Sequence, residues 1–393
     1  MHTGSLALAL TLAIAVTQTG CDELFCNGDV VHHEAWVGDF YSWIQLSAAG
    51  GVTLVTWVTQ GEPRLNAATF EGGAMLHRIE ISPEEKVFSY AVASAPNGHV
   101  LVAKVGSGPV VTSLDRRGQI VGQTSLAGFA NHDPAVAFDG ERFLIAWVKG
   151  TELMLTSLVP GAAAPSSSVV VGTIPFALSL HMASGGGVTW ITWLPGPDFT
   201  SVEGIRVVDG AVVDPAPVLL LDDPRLRSNY LLAMAWSSDR FLLAVDATLE
   251  VKPVTSELVM GSLLVPIDGG GAAPGPVVEL SGYIHLQLAG EAAGFTALPS
   301  SLFAFDVFFG DPPPTPLAIM HLALDGALQS EEPIAGNYAA FASDGGRISL
   351  AVRTDSTKNG NSVLSFGTLD EPSMIPLATL HLEHEEGRVC QGD

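Results

Sequence analysis

The sequence predicts an all-β fold, a seven-bladed β-propeller of four-stranded blades. Three observations carry that expectation. A hairpin of two apolar runs around a small-residue turn, clearest in "PAVAFDGERFLIAWV" (Pro134–Val148), recurs seven times. A second hairpin follows most copies, which gives four short strands per repeat and the period of a propeller blade. The 393 residues are 47% hydrophobic and only 15% charged, with 42 Gly and 25 Pro, as many short strands joined by turns require.

The seven markers are Trp43–Val58, Tyr90–Val105, Pro134–Val148, Leu178–Leu194, Leu232–Asp246, Ile284–Pro299 and Ala339–Arg353. Their turns fall near residues 51, 97, 139, 186, 238, 292 and 344, an average of about 49 residues per blade. Second hairpins are read over Gly108–Leu126, Gly204–Leu221, Ser256–Gly271 and Pro316–Gln329. Asp115, Asp209, Asp268 and Asp325 each follow an apolar strand, and the last three precede Gly, which supplies the positive φ of a tight turn. The sixth repeat is the most irregular, so a six- or eight-bladed ring is the alternative count. A TIM barrel would need eight amphipathic helices with caps, and no segment has a helical period. A β-helix would have a shorter period, and paired sandwiches would not explain seven similar hairpins.

The formal charge is −24, from 17 basic and 41 acidic residues. No basic stripe exists to neutralise phosphates, which argues against nucleic acid and against adsorption to an anionic lipid surface. No interior run reaches the roughly 18 apolar residues of a membrane span. At the N-terminus, Leu6–Val16 is an 11-residue apolar run of signal-peptide length. The following "TQTGCDE" resembles a lipoprotein signal, in which the Cys, here Cys21, is lipidated and becomes the new N-terminus. Gln18 stands where that pattern has an aliphatic residue, and the segment before the run has His2 but no Lys or Arg. Ordinary cleavage nearby would leave Cys21 as a thiol.

If Cys21 carries lipid, Cys26 and Cys390 remain as a pair, one at each end of the chain. A disulfide between them would close a loop that removes about 4–5 kcal/mol of unfolded-state entropy in the chain-entropy model. It requires the termini to meet, as they do in a closed ring. A local Cys21–Cys26 bond is the rival. The repeats taken together resemble secreted bacterial propeller-repeat proteins, with propeller lipoproteins among them. That resemblance covers nearly the whole mature chain and implies export to the periplasm, outer membrane or cell surface. The sialidase Asp-box, the integrin-type calcium loop and the aromatic spacing of kelch repeats are all absent. The expected layout is a signal peptide at 1–20, an anchor and linker at 21–42, the propeller at 43–383 and a tail at 384–393.

Candidate binding residues cluster at the lead-in to each first strand, the segment that tends to line the mouth of a propeller's channel. Here lie Tyr41, Tyr90, His132, Asp133, Asn229, Tyr230, Tyr283, His285, Asn337 and Tyr338, including all five tyrosines of the chain. Tyr and Asn combine flat apolar faces with hydrogen-bonding ends and suit a carbohydrate or peptide. β-Propensity and turn chemistry explain the same residues without a ligand. Trp57, Trp147 and Trp193 occupy equivalent second-strand positions, as an aromatic platform for sugars or, more plainly, as packing between blades.

"HHE" (His32–Glu34) and "HLEHEE" (His381–Glu386) would converge if the ring closes. His381 and Glu383, two apart, share a face on a strand and could reach one metal. A solvated polar tail is the plainer reading, and no metal or cofactor is expected. No Gly-x-Ser-x-Gly elbow occurs, Asp133 and Asp306 are unpaired in the sequence, and Gly269–Gly271 lacks the Lys and helix of a phosphate loop. The expectation is a monomeric, non-catalytic binding module for an envelope glycan, peptide or protein, joined to a membrane only through its lipid. An envelope assembly scaffold and a propeller hydrolase or lyase are the alternatives.

Overall fold

A computed structural model gives the architecture. It describes residues 32–386 except 38–39, 61–63, 82–85, 129–131, 175–176, 227–231, 252–257, 271–273, 284, 300–317, 335–337, 345, 357–360 and 370–374. All the regular structure described is β. The first described strand is β1 (His32–Val37). Blade one is β2 (Phe40–Ala49), β3 (Val52–Gln60), β4 (Leu65–Glu71) and β5 (Ala74–Ile81). Blade two is β6 (Ser89–Ala95), β7 (Gly98–Val105), β8 (Gly108–Asp115) and β9 (Ile120–Ser125). Blade three is β10 (Ala135–Phe138), β11 (Phe143–Lys149), β12 (Glu152–Leu158) and β13 (Val169–Thr173).

Blade four is β14 (Ala177–Gly185), β15 (Val188–Pro195) and β16 (Ser201–Val208), with β17 (Ala211–Val212) and β18 (Val218–Asp222) both paired to β16. Blade five is β19 (Leu232–Ser237), β20 (Arg240–Val251), β21 (Leu258–Asp268) and β22 (Val278–Ser281). Blade six is β23 (Leu286–Glu291), β24 (Gly294–Pro299), β25 (Ala318–Leu322) and β26 (Leu328–Pro333). Blade seven is β27 (Tyr338–Asp344), β28 (Arg347–Ser356), β29 (Asn361–Thr368) and β30 (Ile375–Glu386). Each blade is an antiparallel meander, and the protein is a seven-bladed β-propeller.

The hairpins seen in the sequence are the two innermost strands of each blade. Their second strands read as continuous apolar runs because both faces are covered by neighbouring blades. β7 and β11 are buried along nearly their whole length, whereas the outer strands β9 and β26 are mostly exposed. The core divides accordingly into seven clusters, one at each interface between adjacent blades. Trp57, Trp147 and Trp193 are buried in three of these, so they pack blades together and offer no sugar platform. At the first–seventh interface Phe70 stacks on Phe366 with centroids 3.9 Å apart.

Turn chemistry follows the sequence. Gly50-Gly51, Gly72-Gly73, Gly186-Gly187 and Asp209-Gly210 all have positive φ at both positions, the geometry of tight turns whose twist matches the strands they join. Asp115 Oδ1 accepts from the backbone N–H groups of Arg117 (2.8 Å) and Gln119 (2.9 Å) and fixes the turn after β8. The expected Ser256–Gly271 hairpin differs. Leu258–Asp268 is one unbroken strand, and its partner arrives only at Val278, after Pro274 has bridged back to Ile267.

The ring closes with the first and last described strands in one sheet. β1 pairs antiparallel with β30 and adds a fifth strand to blade seven, with His32 opposite Glu386 and Val37 opposite His381. The propeller therefore reaches into the segment read as linker, and β2 begins at Phe40, ahead of the expected Trp43. Cys21, Cys26 and Cys390 lie outside the described residues.

Candidate ligand site in the central channel

The seven inner strands β2, β6, β10, β14, β19, β23 and β27 stand side by side around the axis, and β27 returns to β2. They enclose a cavity of about 590 Å³. Its wall is largely aliphatic, from residues such as Leu46, Val92, Val136, Leu180, Met182 and Met234. Polar groups interrupt that wall at a few points, and most are tied to a neighbouring blade.

One set forms a layer four residues before the end of three inner strands. Gln45 Nε2 donates to the Tyr90 carbonyl at 2.8 Å, linking blades one and two. His181 Nε2 lies 3.3 Å from the Met234 carbonyl, linking blades four and five. Gln287 Oε1 accepts from the Phe341 N–H at 3.3 Å, linking blades six and seven. Inner strands of adjacent blades splay apart and share no ladder, so these side chains satisfy backbone groups that the ladder leaves over. Burial holds the His181 pKa below its ordinary value, against the opposing pull of its bond to Met234.

The mouth carries two further clusters. Ser89 Oγ donates to Asp133 Oδ1 at 2.6 Å, and Lys104 Nζ stands 3.6 Å from the same oxygen. His132, next in sequence, has its pKa lowered by burial and by the Lys104 charge, with Asp133 opposing. Across the channel, His285 is held by Asp246 of β20. Asp246 Oδ1 accepts the His285 backbone N–H at 2.8 Å, and Oδ2 lies 2.6 Å from Nδ1. Ser262 Oγ lies 3.3 Å from Asp246 Oδ1 and 2.9 Å from the Tyr283 carbonyl. Asp246 is 2% exposed, and His285 adopts a left-handed φ of 55°. A non-glycine residue held in that region costs about 1–3 kcal/mol and persists where surrounding structure enforces it.

Tyr90, Asp133 and His285, expected at the mouth, do border the cavity. Tyr90 is 4% exposed and belongs mainly to the packing between blades one and two. His132 is not among the residues lining the cavity. Tyr283 is not among the residues lining the cavity and packs on the interface between blades five and six; burial, then Glu331 of β26, push its hydroxyl up to about 12. Tyr41 and Tyr338 fall on inner strands β2 and β27, opposite Thr59 and Arg353. Asn229, Tyr230 and Asn337 lie outside the described residues. Sequence reasoning missed Gln45, Ser89, His181, Asp246 and Gln287. The shared offset of Gln45, His181 and Gln287 from their turns was the signal that aligning the repeats would have exposed.

No protein-family model matches the chain, and no curated protein matches it. Solved structures do. A puromycin-hydrolysing peptidase of Mycobacterium tuberculosis is similar at a TM-score of 0.51 and 14% identity, over 89% of this chain and 56% of that one. A prolyl endopeptidase is similar at 0.52 and 13%, over 88% and 49%. Hydrazine synthase of Kuenenia stuttgartiensis is similar at 0.51 and 9%, over 88% and 99%. The likeness is one of fold. The chain spans about half the length of the two peptidases.

Proposed function

We propose that this protein is a non-catalytic binding module that takes its ligand at the mouth of the central channel. The observation that carries the reading is the His285–Asp246 pair. A buried carboxylate fixes a histidine in a strained backbone conformation at the border of a roomy, mainly aliphatic cavity. Strain of this kind concentrates where a side chain must be presented to a ligand. The chemistry suits an amphiphilic ligand, a glycan or a peptide side chain with an apolar face and a hydrogen-bonding head. Its apolar part would lie against Leu180, Met182 and Met234, and its polar part would meet Ser89, Asp133 and His285. The signal-like N-terminus adds the proposal that the chain is exported and tethered through Cys21, which would hold the disc at an envelope surface.

The test is binding of the purified full chain to an array of glycans and short peptides, beside the His285→Ala and Asp133→Ala variants. The expected result is a hit weakened at least tenfold by both. Hits that both variants retain at full affinity would move the site away from the channel.

A further inference from the structure

The geometry points to an alkylammonium, an organic cation with an apolar tail, as the ligand of the central channel, an inference that rests on the channel site proposed above. The charge on the wall carries it. Among the described residues that line the cavity, Asp133 is the only carboxylate, and none is Lys or Arg. Asp133 is the open member of its ion pair, with 62% of its side chain exposed against 17% for Lys104. The hydrogen bond from Ser89 Oγ falls on Oδ1, and the nearest approach of Lys104 Nζ, 3.6 Å, is to that same oxygen. Oδ2 therefore accepts no hydrogen bond from a described residue. A charged N–H donor from a ligand would find there an exposed acceptor of opposite sign.

An aromatic ring on the same wall suits the same head group. Phe88 lines the cavity, is 46% exposed and directly precedes Ser89, the residue that hydrogen-bonds Asp133. The face of such a ring attracts an ammonium within about 6 Å of its centroid. This ring already receives one from its own chain, because Lys86 Nζ stands 5.9 Å from the Phe88 centroid.

The rest of the cavity takes the tail. Leu180, Met182 and Met234 offer an aliphatic slot, and each methylene that leaves water for such a wall adds about fourfold to affinity. The formal charge of −24 raises the local concentration of cations and repels anions. A carboxylate-headed amphiphile would meet both that field and Asp133. A neutral one would leave the exposed carboxylate without a countercharge.

The test is a calorimetric titration of the purified full chain with hexylammonium, butylammonium, hexanol and hexanoate. It is run at about pH 8, above the ordinary imidazole range and below that of an alkylamine. Hexylammonium should bind about tenfold or more tighter than hexanol or hexanoate, and about tenfold tighter than butylammonium. Asp133→Asn keeps the side-chain shape and should bring hexylammonium to within about twofold of hexanol. Phe88→Leu should weaken hexylammonium about threefold. Nα-acetyl-lysine methylamide separates the sources of the cation: affinity equal to that of hexylammonium assigns it to a peptide side chain, weaker affinity to a free amine, and either upholds the inference. Hexanol or hexanoate binding as tightly as hexylammonium, and losing affinity in His285→Ala, would overturn the cation and leave the channel site standing. Equal affinities for butylammonium and hexylammonium would overturn it by placing the cation on the acidic surface. A chain that binds none of the four probes would overturn both the cation and the channel site.

Discussion

Asp246 Oδ1 accepts the His285 backbone N–H at 2.8 Å and its Oδ2 stands 2.6 Å from the imidazole Nδ1, although 39 residues separate the two. The carboxylate belongs to the second strand of blade five and the histidine to the lead-in of blade six. One side chain thus sets both the angle between two blades and the presentation of a ring at the channel. Asp246→Asn keeps the shape but removes the charge-assisted bond, and should lower stability by about 1–3 kcal/mol. Urea unfolding should show a lower midpoint with an unchanged slope.

His285 itself separates structure from binding. His285→Gly removes the imidazole but relaxes the positive φ, which glycine adopts without a steric penalty. It should therefore cost less stability than Asp246→Asn and still abolish recognition of the channel ligand. Paired urea curves and binding isotherms decide this; a His285→Gly chain that binds normally would show the ring to be structural.

The polar layer around the channel should behave as independent rivets. Gln45→Ala, Leu in place of His181 and Gln287→Ala each remove one link between different blade pairs, at about 0.5–1.5 kcal/mol apiece. The three sites share no partner, so the triple variant should lose the sum within about 0.5 kcal/mol per pair. A triple variant much weaker than the sum would reveal that the ring transmits strain from blade to blade.

Blades were legible in the sequence because burial on both faces writes a second strand as an unbroken apolar run, as in "FLIAWV" and "VTWITWL", with a Gly or Asp-Gly turn before it. The closing strand was not, because "HHEAWV" is polar where a propeller strand is usually apolar, and only its register with β30 explains it. The candidate site was legible in part. Lead-in segments do reach the channel, but Gly282 and His285 both take positive φ and bracket Tyr283, which breaks the alternation that would have kept it on the channel side. The Asp246–His285 contact joins two repeats, and no local pattern encodes it.

Acid should destabilise the fold through His99. This residue is 1% exposed inside blade two, with Nδ1 2.7 Å from Ser94 Oγ and Nε2 3.4 Å from the Arg116 carbonyl. Burial lowers its pKa from 6.5 to about 4, against the raising effects of the Arg116 carbonyl and Asp115. Between those values the unfolded chain binds a proton that the folded chain refuses, so stability falls as pH drops from about 6.5 towards 4. The full effect is roughly 3 kcal/mol. His99→Gln should flatten that part of the stability–pH curve, and a curve of unchanged slope would assign the acid sensitivity elsewhere.

Trp236 gives the sharpest test of blade packing, because two glycines meet two different parts of it. A Cβ at Gly185 would overlap the Trp236 indole, while a Cβ at Gly290 would overlap the Trp236 backbone carbonyl. The indole also meets Phe241 edge-on, with centroids 4.7 Å apart, so it wedges blade five against blade four. Gly185→Ala should cost about 1–3 kcal/mol through overpacking, and so should Gly290→Ala. Trp236→Ala should then separate them. It removes the atoms that a side chain at 185 would strike, so the Gly185→Ala/Trp236→Ala pair should be more stable than the sum of its single effects by at least about 1 kcal/mol. Gly290→Ala should gain no such relief, because the backbone carbonyl remains. Equal coupling in both double-mutant cycles, measured by urea unfolding, would mean that blade six responds to the indole and that the carbonyl contact does not set the spacing.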